Sequence, residues 1–164
     1  ASDVYKRQVL TDKKITIMKK ILVAAVLLFA GIASTFAGDR ERPIAVDKLP
    51  AVAQQFLAAH FKGLTVAFAV EDPKFIGSEY EVTYTDRTEV DFRSDGEWSS
   101  VERKYEAVPA SVVPAQIQEY VAKSNFPNQY IRKIERNKYT WEIELSNGLE
   151  IKFDRQFNVI GFDD

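Results

Sequence analysis

Leu49, Val52, Ala53, Phe56, Leu57 and Phe61 recur at spacings of three and four residues, which places them on one apolar face of a helix. Val113, Ile117, Tyr120 and Val121 repeat that pattern 64 residues later. Pro50 and Pro114 open the two segments, at first-turn positions where a missing N–H loses no intrahelical partner. Asp47 and Ser111 are placed as side-chain caps, and Gly63 and Pro127 as terminators. Helices are therefore predicted over residues 49–61 and 113–126. His60 falls at the end of the first, where an imidazolium would interact favourably with the terminal carbonyls.

Elsewhere the period changes to two. Tyr80, Val82 and Tyr84 alternate with Glu81, Thr83 and Thr85, and Trp141, Ile143 and Leu145 with Glu142, Glu144 and Ser146, as half-buried antiparallel strands do. Asp86-Arg87 and Asn147-Gly148 interrupt these runs, and the second pair is a strong two-residue hairpin signal. Arg87 in the place of Gly148 predicts a looser first hairpin or another turn type. The returning strands bury Val90 and Phe92, or Leu149, Ile151 and Phe153. Strands at residues 65–70, 97–102, 130–136 and 158–163 complete the pattern.

The two strand blocks, YEVTYTDRTEVDF and WEIELSNGLEIKF, match at an offset of 61 and follow the helical blocks in the same order. The fold class expected is α+β: two tandem units, residues 38–105 and 106–164, each a helix plus a four-stranded antiparallel sheet. The helices are expected on one face, with the sheets continuing side by side into one curved sheet and one compact domain.

Ahead of these units, residues 18–37 read MKKILVAAVLLFAGIASTFA, two lysines before an apolar run that thins into small residues, the layout of a secretory signal peptide. Thr35 and Ala37 occupy the −3 and −1 positions of a cut between Ala37 and Gly38. The apolar core is shorter than the roughly 20 residues a membrane span needs, so no stable anchor is expected after cleavage. Residues 1–17 form a leader that such a signal should not have. Ser2–Gln8, SDVYKRQ, resembles the translation of a transposon end sequence used in preparing sequencing libraries, which predicts a non-native leader and a start at Met18.

Composition then narrows the chemistry. Of 164 residues none is cysteine and one is histidine, which removes thiol catalysis, disulfides, cysteine-ligated metal, lipid attachment through cysteine and any site needing two imidazoles. The formal charge of −2 misleads, because residues 1–37 hold six bases and two acids; beyond them stand 16 basic and 22 acidic residues, a net charge of −6. An acidic chain without a basic stripe is not expected to bind nucleic acid. No phosphate-binding glycine loop, dinucleotide fingerprint or G-x-S-x-G elbow occurs, so no cofactor and no serine nucleophile is expected.

The proline-led helix, the endings His60-Phe61 and Asn125-Phe126, and the Y/W-E-V/I, turn, E-V/I-x-F pattern resemble the PepSY-like proteins of Bacteroidetes, grouped with the beta-lactamase-inhibitor-protein-like fold. The resemblance covers residues 44–164. It implies an exported tandem helix-plus-sheet fold with no catalytic residues to carry over, and a role in binding or inhibiting another envelope protein.

Alternation sends a second set of side chains away from the helices: Glu81, Thr83, Thr85, Glu89, Asp91 and Arg93 in the first unit, and Glu142, Glu144, Glu150, Lys152 and Asp154 in the second. This face reads either as a solvated surface or as an acidic platform for an envelope protein, on which charge sets encounter rate and specificity. Trp98, whose counterpart is Val159, would add a binding anchor if exposed. The contrasting reading is a periplasmic carbohydrate-active or calcium-dependent protein using carboxylates such as Glu81 and Glu89. Nothing in the sequence indicates a cleft or a spaced calcium loop, and a non-enzymatic protein with no metal site is expected. Intact-mass measurement of the exported protein should give a chain beginning at Gly38; a mass that retains residues 18–37 would refute the predicted cleavage.

Overall fold

The computed structural model describes residues 41–124, 126 and 128–163. The expectations for the leader, the signal segment and its cut, and those for Asn125 and Pro127, lie outside the described residues. In chain order stand β1 (Arg42–Ile44), a 3-10 turn (Val46–Lys48), α1 (Ala51–His60), β2 (Val66–Pro73), β3 (Ser78–Tyr84), β4 (Thr88–Phe92), β5 (Trp98–Arg103), α2 (Ala115–Lys123), β6 (Ile131–Arg136), β7 (Thr140–Leu145), β8 (Glu150–Asp154) and β9 (Val159–Asp163). All nine strands form one antiparallel sheet whose spatial order is the sequence order. β1 is the strand that periodicity does not reveal, because three residues carry no period.

The core is a row of β-branched side chains. Val82, Val90, Val101, Ile134, Ile143 and Ile151 stand directly opposite one another across β3 to β8, and none is more than 1% exposed. Stiff branched side chains suit a pleated surface buried on one side. Ala53 and Leu57 of α1 and Ile117 of α2 belong to the same apolar cluster. Phe56 of α1 lies edge-on to Phe92 at 6.0 Å and stacked on Trp98 at 5.7 Å, while Tyr120 of α2 meets Phe153 edge-on at 5.3 Å. The seam between the two halves is the β5–β6 pairing, with Val101 opposite Ile134 at its centre.

Both helices begin differently from the expectation. Pro50 and Pro114 occupy the cap positions, and neither Asp47 nor Ser111 supplies a cap. Instead Gln54 Nε2 donates back to the Leu49 carbonyl at 2.8 Å, and Gln118 Nε2 to the Val113 carbonyl at 2.8 Å. Those acceptors lie just ahead of each helix, so a side chain from the first turn ties down the entering chain. His60 stands in the last turn of α1 as expected; its Nδ1 also shares a hydrogen bond with Ser111 Oγ at 2.9 Å and its ring packs on Phe56, so it ties α1 to the segment ahead of α2.

The hairpin turns share one backbone conformation despite unlike residues. Arg87 has φ 65° and Gly148 φ 92°, so the first turn is not looser; an exposed arginine is held in the left-handed region. At the β4–β5 turn Gly96 has φ 83°, and a Cβ there would lie 2.8 Å from Cβ of Pro50, where the start of α1 presses on the sheet. Among the described residues no helix is long and apolar enough to cross a membrane.

The left-handed conformation costs an L-residue about 1–2 kcal/mol, against about 0.5–1 kcal/mol of extra backbone entropy lost by glycine. Arg87→Gly is therefore expected to raise stability by about 0.5–1 kcal/mol, read as a higher urea midpoint at unchanged slope. An unchanged or lower midpoint would show that Arg87 makes compensating contacts.

Candidate functional site on the open sheet face

Once the β-branched row is buried in the apolar cluster, a period of two sends its neighbours to the other face of the sheet. One row there reads Glu81, Asp91, Ser100, Glu135, Glu142, Lys152, and the next Thr83, Glu89, Glu102, Lys133, Glu144, Glu150. Within these two rows four directly opposed pairs are like-charged: Glu81 with Asp91, Glu89 with Glu102, Glu135 with Glu142, and Glu144 with Glu150. Such pairs destabilise a sheet by roughly 0.2–1 kcal/mol each.

The second half neutralises much of this charge. Arg132 pairs with Glu102 at 3.4 Å and with Glu144; Lys133 pairs with Glu135 at 2.6 Å and Lys152 with Glu142 at 3.4 Å. Arg132 and Lys133 are functional-face residues that hairpin alternation alone misses. A register shift between Ile131 and Lys133 breaks the period there. Continuing the alternation of β7 onto β6 through register would have found Lys133.

The first half does not neutralise it. Among the described residues Glu81, Glu89 and Asp91 form no ion pair, and Glu81 accepts only a hydrogen bond from Thr83 Oγ1 at 2.9 Å. Burial, reinforced by Glu81 and Glu89, pushes the Asp91 carboxyl up to about 7. Burial also raises Glu89, with Glu81 and Glu102 adding to it. The offset of 61 sharpens the contrast: the register pair Glu142–Lys152 corresponds to Glu81–Asp91, so an ion pair in one half is a carboxylate pair in the other.

The remaining expected residues fall elsewhere. Trp98 is no exposed anchor. The register shift between Asp91 and Phe92 sets it opposite Phe92 on the apolar side, where it is 8% exposed. Thr83 is buried beneath the acidic row. The Asp154 carboxylate is occupied by the β8–β9 turn, accepting at 2.9 Å from the Asn158 side-chain Nδ2, the Asn158 backbone N–H and the Gln156 backbone N–H, which holds it below the usual carboxylate range. Arg93 stands at the β4–β5 turn, 3.8 Å from Asp95.

A cleft that the sequence does not indicate holds about 720 Å³. Glu81 and Asp91 line it with Glu41, Asp72 and Glu79, and Arg93, Arg136 and Arg155 line it as well. Those arginines come from three different hairpin ends, which the meander gathers at one end of the sheet. Among the described residues no group of three or more His, Cys, Asp or Glu side chains is arranged to hold a metal ion.

This meander with helices following β1 and β5 defines a sheet-and-helix protein of one known kind. The family described as "Putative beta-lactamase-inhibitor-like, PepSY-like" matches residues 78–161, from β3 into β9, and the chain belongs to that family. A Bacteroides vulgatus protein, described as "a putative periplasmic protein from DUF2874 family", is 44% identical, over 78% of this chain and 100% of that one, with a TM-score of 0.73. A Bacteroides thetaiotaomicron protein, described as "a putative calcium-regulated periplasmic protein", is 41% identical over 76% and 97%, with a TM-score of 0.72. A second Bacteroides vulgatus periplasmic protein, described as of unknown function, is 32% identical over 76% and 99%, with a TM-score of 0.70. No curated protein matches the chain.

The raised Asp91 carboxyl has a signed consequence. Between its ordinary value of 3.8 and about 7 the folded chain binds a proton that the unfolded chain releases. Stability from this group therefore falls as pH rises through that window, with the full penalty above it. Asp91→Asn should be more stable than the parent at about pH 8, by on the order of 2 kcal/mol, and should lose this advantage towards about pH 4. A difference independent of pH, measured by urea denaturation, would refute the assignment.

Proposed function

We propose that the chain is an exported, non-enzymatic binding module whose open sheet face receives a cationic segment of another envelope protein. One observation carries the reading: Glu81 and Asp91 oppose each other where the second half has the Glu142–Lys152 ion pair. A fold that has a neutralised version of the same position, yet holds two carboxylates together at a cost, has charge available for a partner. The periplasmic description of the three structural relatives supports the location, and the signal-like segment supports the route.

We further infer that residues 38–105 and 106–164 are two copies of one unit with both helices on the same face of the sheet. In support, each half runs helix then four strands, and the register shifts fall alike, in the first and third hairpin pairings of each. The paired arrangement of Gln54 and Gln118 repeats as well.

A second reading is favoured by the cleft and by the raised Asp91 carboxyl: Glu81 and Asp91 act as an acid–base pair on a carbohydrate, or together bind calcium as the calcium-regulated relative suggests. One set of variants separates the two. Capture of basic envelope proteins should fall about tenfold with Asp91→Lys, which replaces the like-charged pair by an opposite-charged one, and should weaken with salt. Equal capture by Asp91→Lys would refute the platform, and glycoside turnover or calcium-dependent stabilisation lost in both Asp91→Asn and Glu81→Gln would establish the second reading.

A further inference from the structure

The cationic wall of the cleft is anomalous in a chain whose remainder is acidic. Arg93, Arg136, Lys138 and Arg155 line it together. Arg136 stacks on Trp98 at 4.1 Å and on Trp141 at 5.9 Å, and Arg155 lies over Trp141 at 5.2 Å. Arg136 has one carboxylate partner, Glu97 at 2.6 Å. Among the described residues Arg155 and Lys138 have none: Arg155 Nη1 donates to the Asn137 carbonyl at 3.4 Å, and Lys138 lies over the Tyr139 ring at 5.5 Å. Burial, with Arg93 and Arg155 adding repulsion, holds Arg136 below the usual guanidinium range despite Glu97. Trp141, itself 7% exposed, keeps a buried Nε1 without an acceptor. Five carboxylates, Glu41, Asp72, Glu79, Glu81 and Asp91, line the same cleft, yet among the described residues none of them pairs with Arg155 or Lys138, whose donors stay open to a ligand carboxylate.

The anion is constrained by the other wall. Glu81 and Asp91 share the cleft, so a polyanion such as a phosphate ester would meet carboxylates as well as guanidinium groups. A ligand with one carboxylate and a nearby cation satisfies both walls, and a cleft of about 720 Å³ falls within the range of ligand sites. We propose that the cleft captures the free C-terminus of a partner polypeptide, its terminal carboxylate held by Arg93, Arg136, Arg155 and Lys138 and a preceding lysine or arginine side chain seated on Glu81 and Asp91. This rests on the platform reading and names its occupant: a basic C-terminal tail rather than an internal basic segment.

The test uses the two tryptophans under the arginines as reporters. Acetyl-Ala-Lys-Ala with a free carboxylate, the same peptide as its C-terminal amide, and inorganic phosphate are titrated into the exported protein. The acid should bind with a change in fluorescence, the amide about tenfold more weakly, and phosphate should not displace the acid. Arg155→Ala, which removes a side chain without an ion pair, should weaken the acid about tenfold and leave the amide unchanged. Equal binding of acid and amide, or equal loss of both in Arg155→Ala, overturns C-terminal capture while leaving the platform intact. If neither peptide binds, the platform falls with it. Displacement by phosphate, with affinity indifferent to Asp91→Lys, would make the wall a general anion site and refute the proposal.

Discussion

The structure depends on one row of six β-branched side chains, Val82 to Ile151, running unbroken across β3 to β8. Every member is buried, so the register of six strands is fixed by a single constraint: a slip of one residue would exchange this row for its charged and polar neighbours. The row also crosses the β5–β6 seam, where only three residue pairs join the halves, so Val101 against Ile134 welds them into one sheet. The acidity of the opposite face follows from the same register, because the residues between the buried ones have nowhere else to point.

The two halves use this scaffold differently. Near β6 and β8 the open face is laced by Arg132, Lys133 and Lys152 into ion pairs, and surface pairs of this kind contribute little individually, about 0–1 kcal/mol. Near β3 and β4, among the described residues, no cation forms an ion pair with Glu81, Glu89 or Asp91, and Glu81 and Asp91 stand directly opposite each other. The asymmetry turns on few positions, chiefly Asp91 against Lys152, so charge can be redistributed across the face without touching the core. The left-handed turn positions behave likewise: Gly96 is needed where α1 presses on the turn, whereas its counterpart Phe157, at φ 65°, covers Trp141 at a ring distance of 5.9 Å.

Much of the fold was legible because two clear periods, three-to-four and two, occupy separate stretches of chain and recur at fixed offsets. The helix starts were not, since Gln54 and Gln118 act by reaching backwards, a role that local cap preferences do not contain. Whether Trp98 is exposed was left open for a related reason: the register shift beside Phe92 turns it to the apolar side, and a shift is invisible until both strands are paired. The acidic face was legible in β3, β4, β7 and β8, whereas its neutralising residues Arg132 and Lys133 were hidden by the shift in β6. The cationic wall was wholly illegible, because Arg93, Arg136 and Arg155 are distant in sequence and meet only when alternate turns collect at one end of the sheet.

The coincidence of spatial and sequence order has a further consequence. Each strand pairs with the one made just before it, and only the β1–β2 and β5–β6 closures must wait for a helix and its loops to be threaded between. Pairings between chain neighbours carry a small loop-closure entropy and form early, so the relative contact order of this sheet is low for a nine-stranded one. With no cysteine to lock a register, disulfide exchange does not delay assembly. A chain of this design can fold zipper-fashion, hairpin upon hairpin, with the seam as its slowest tooth.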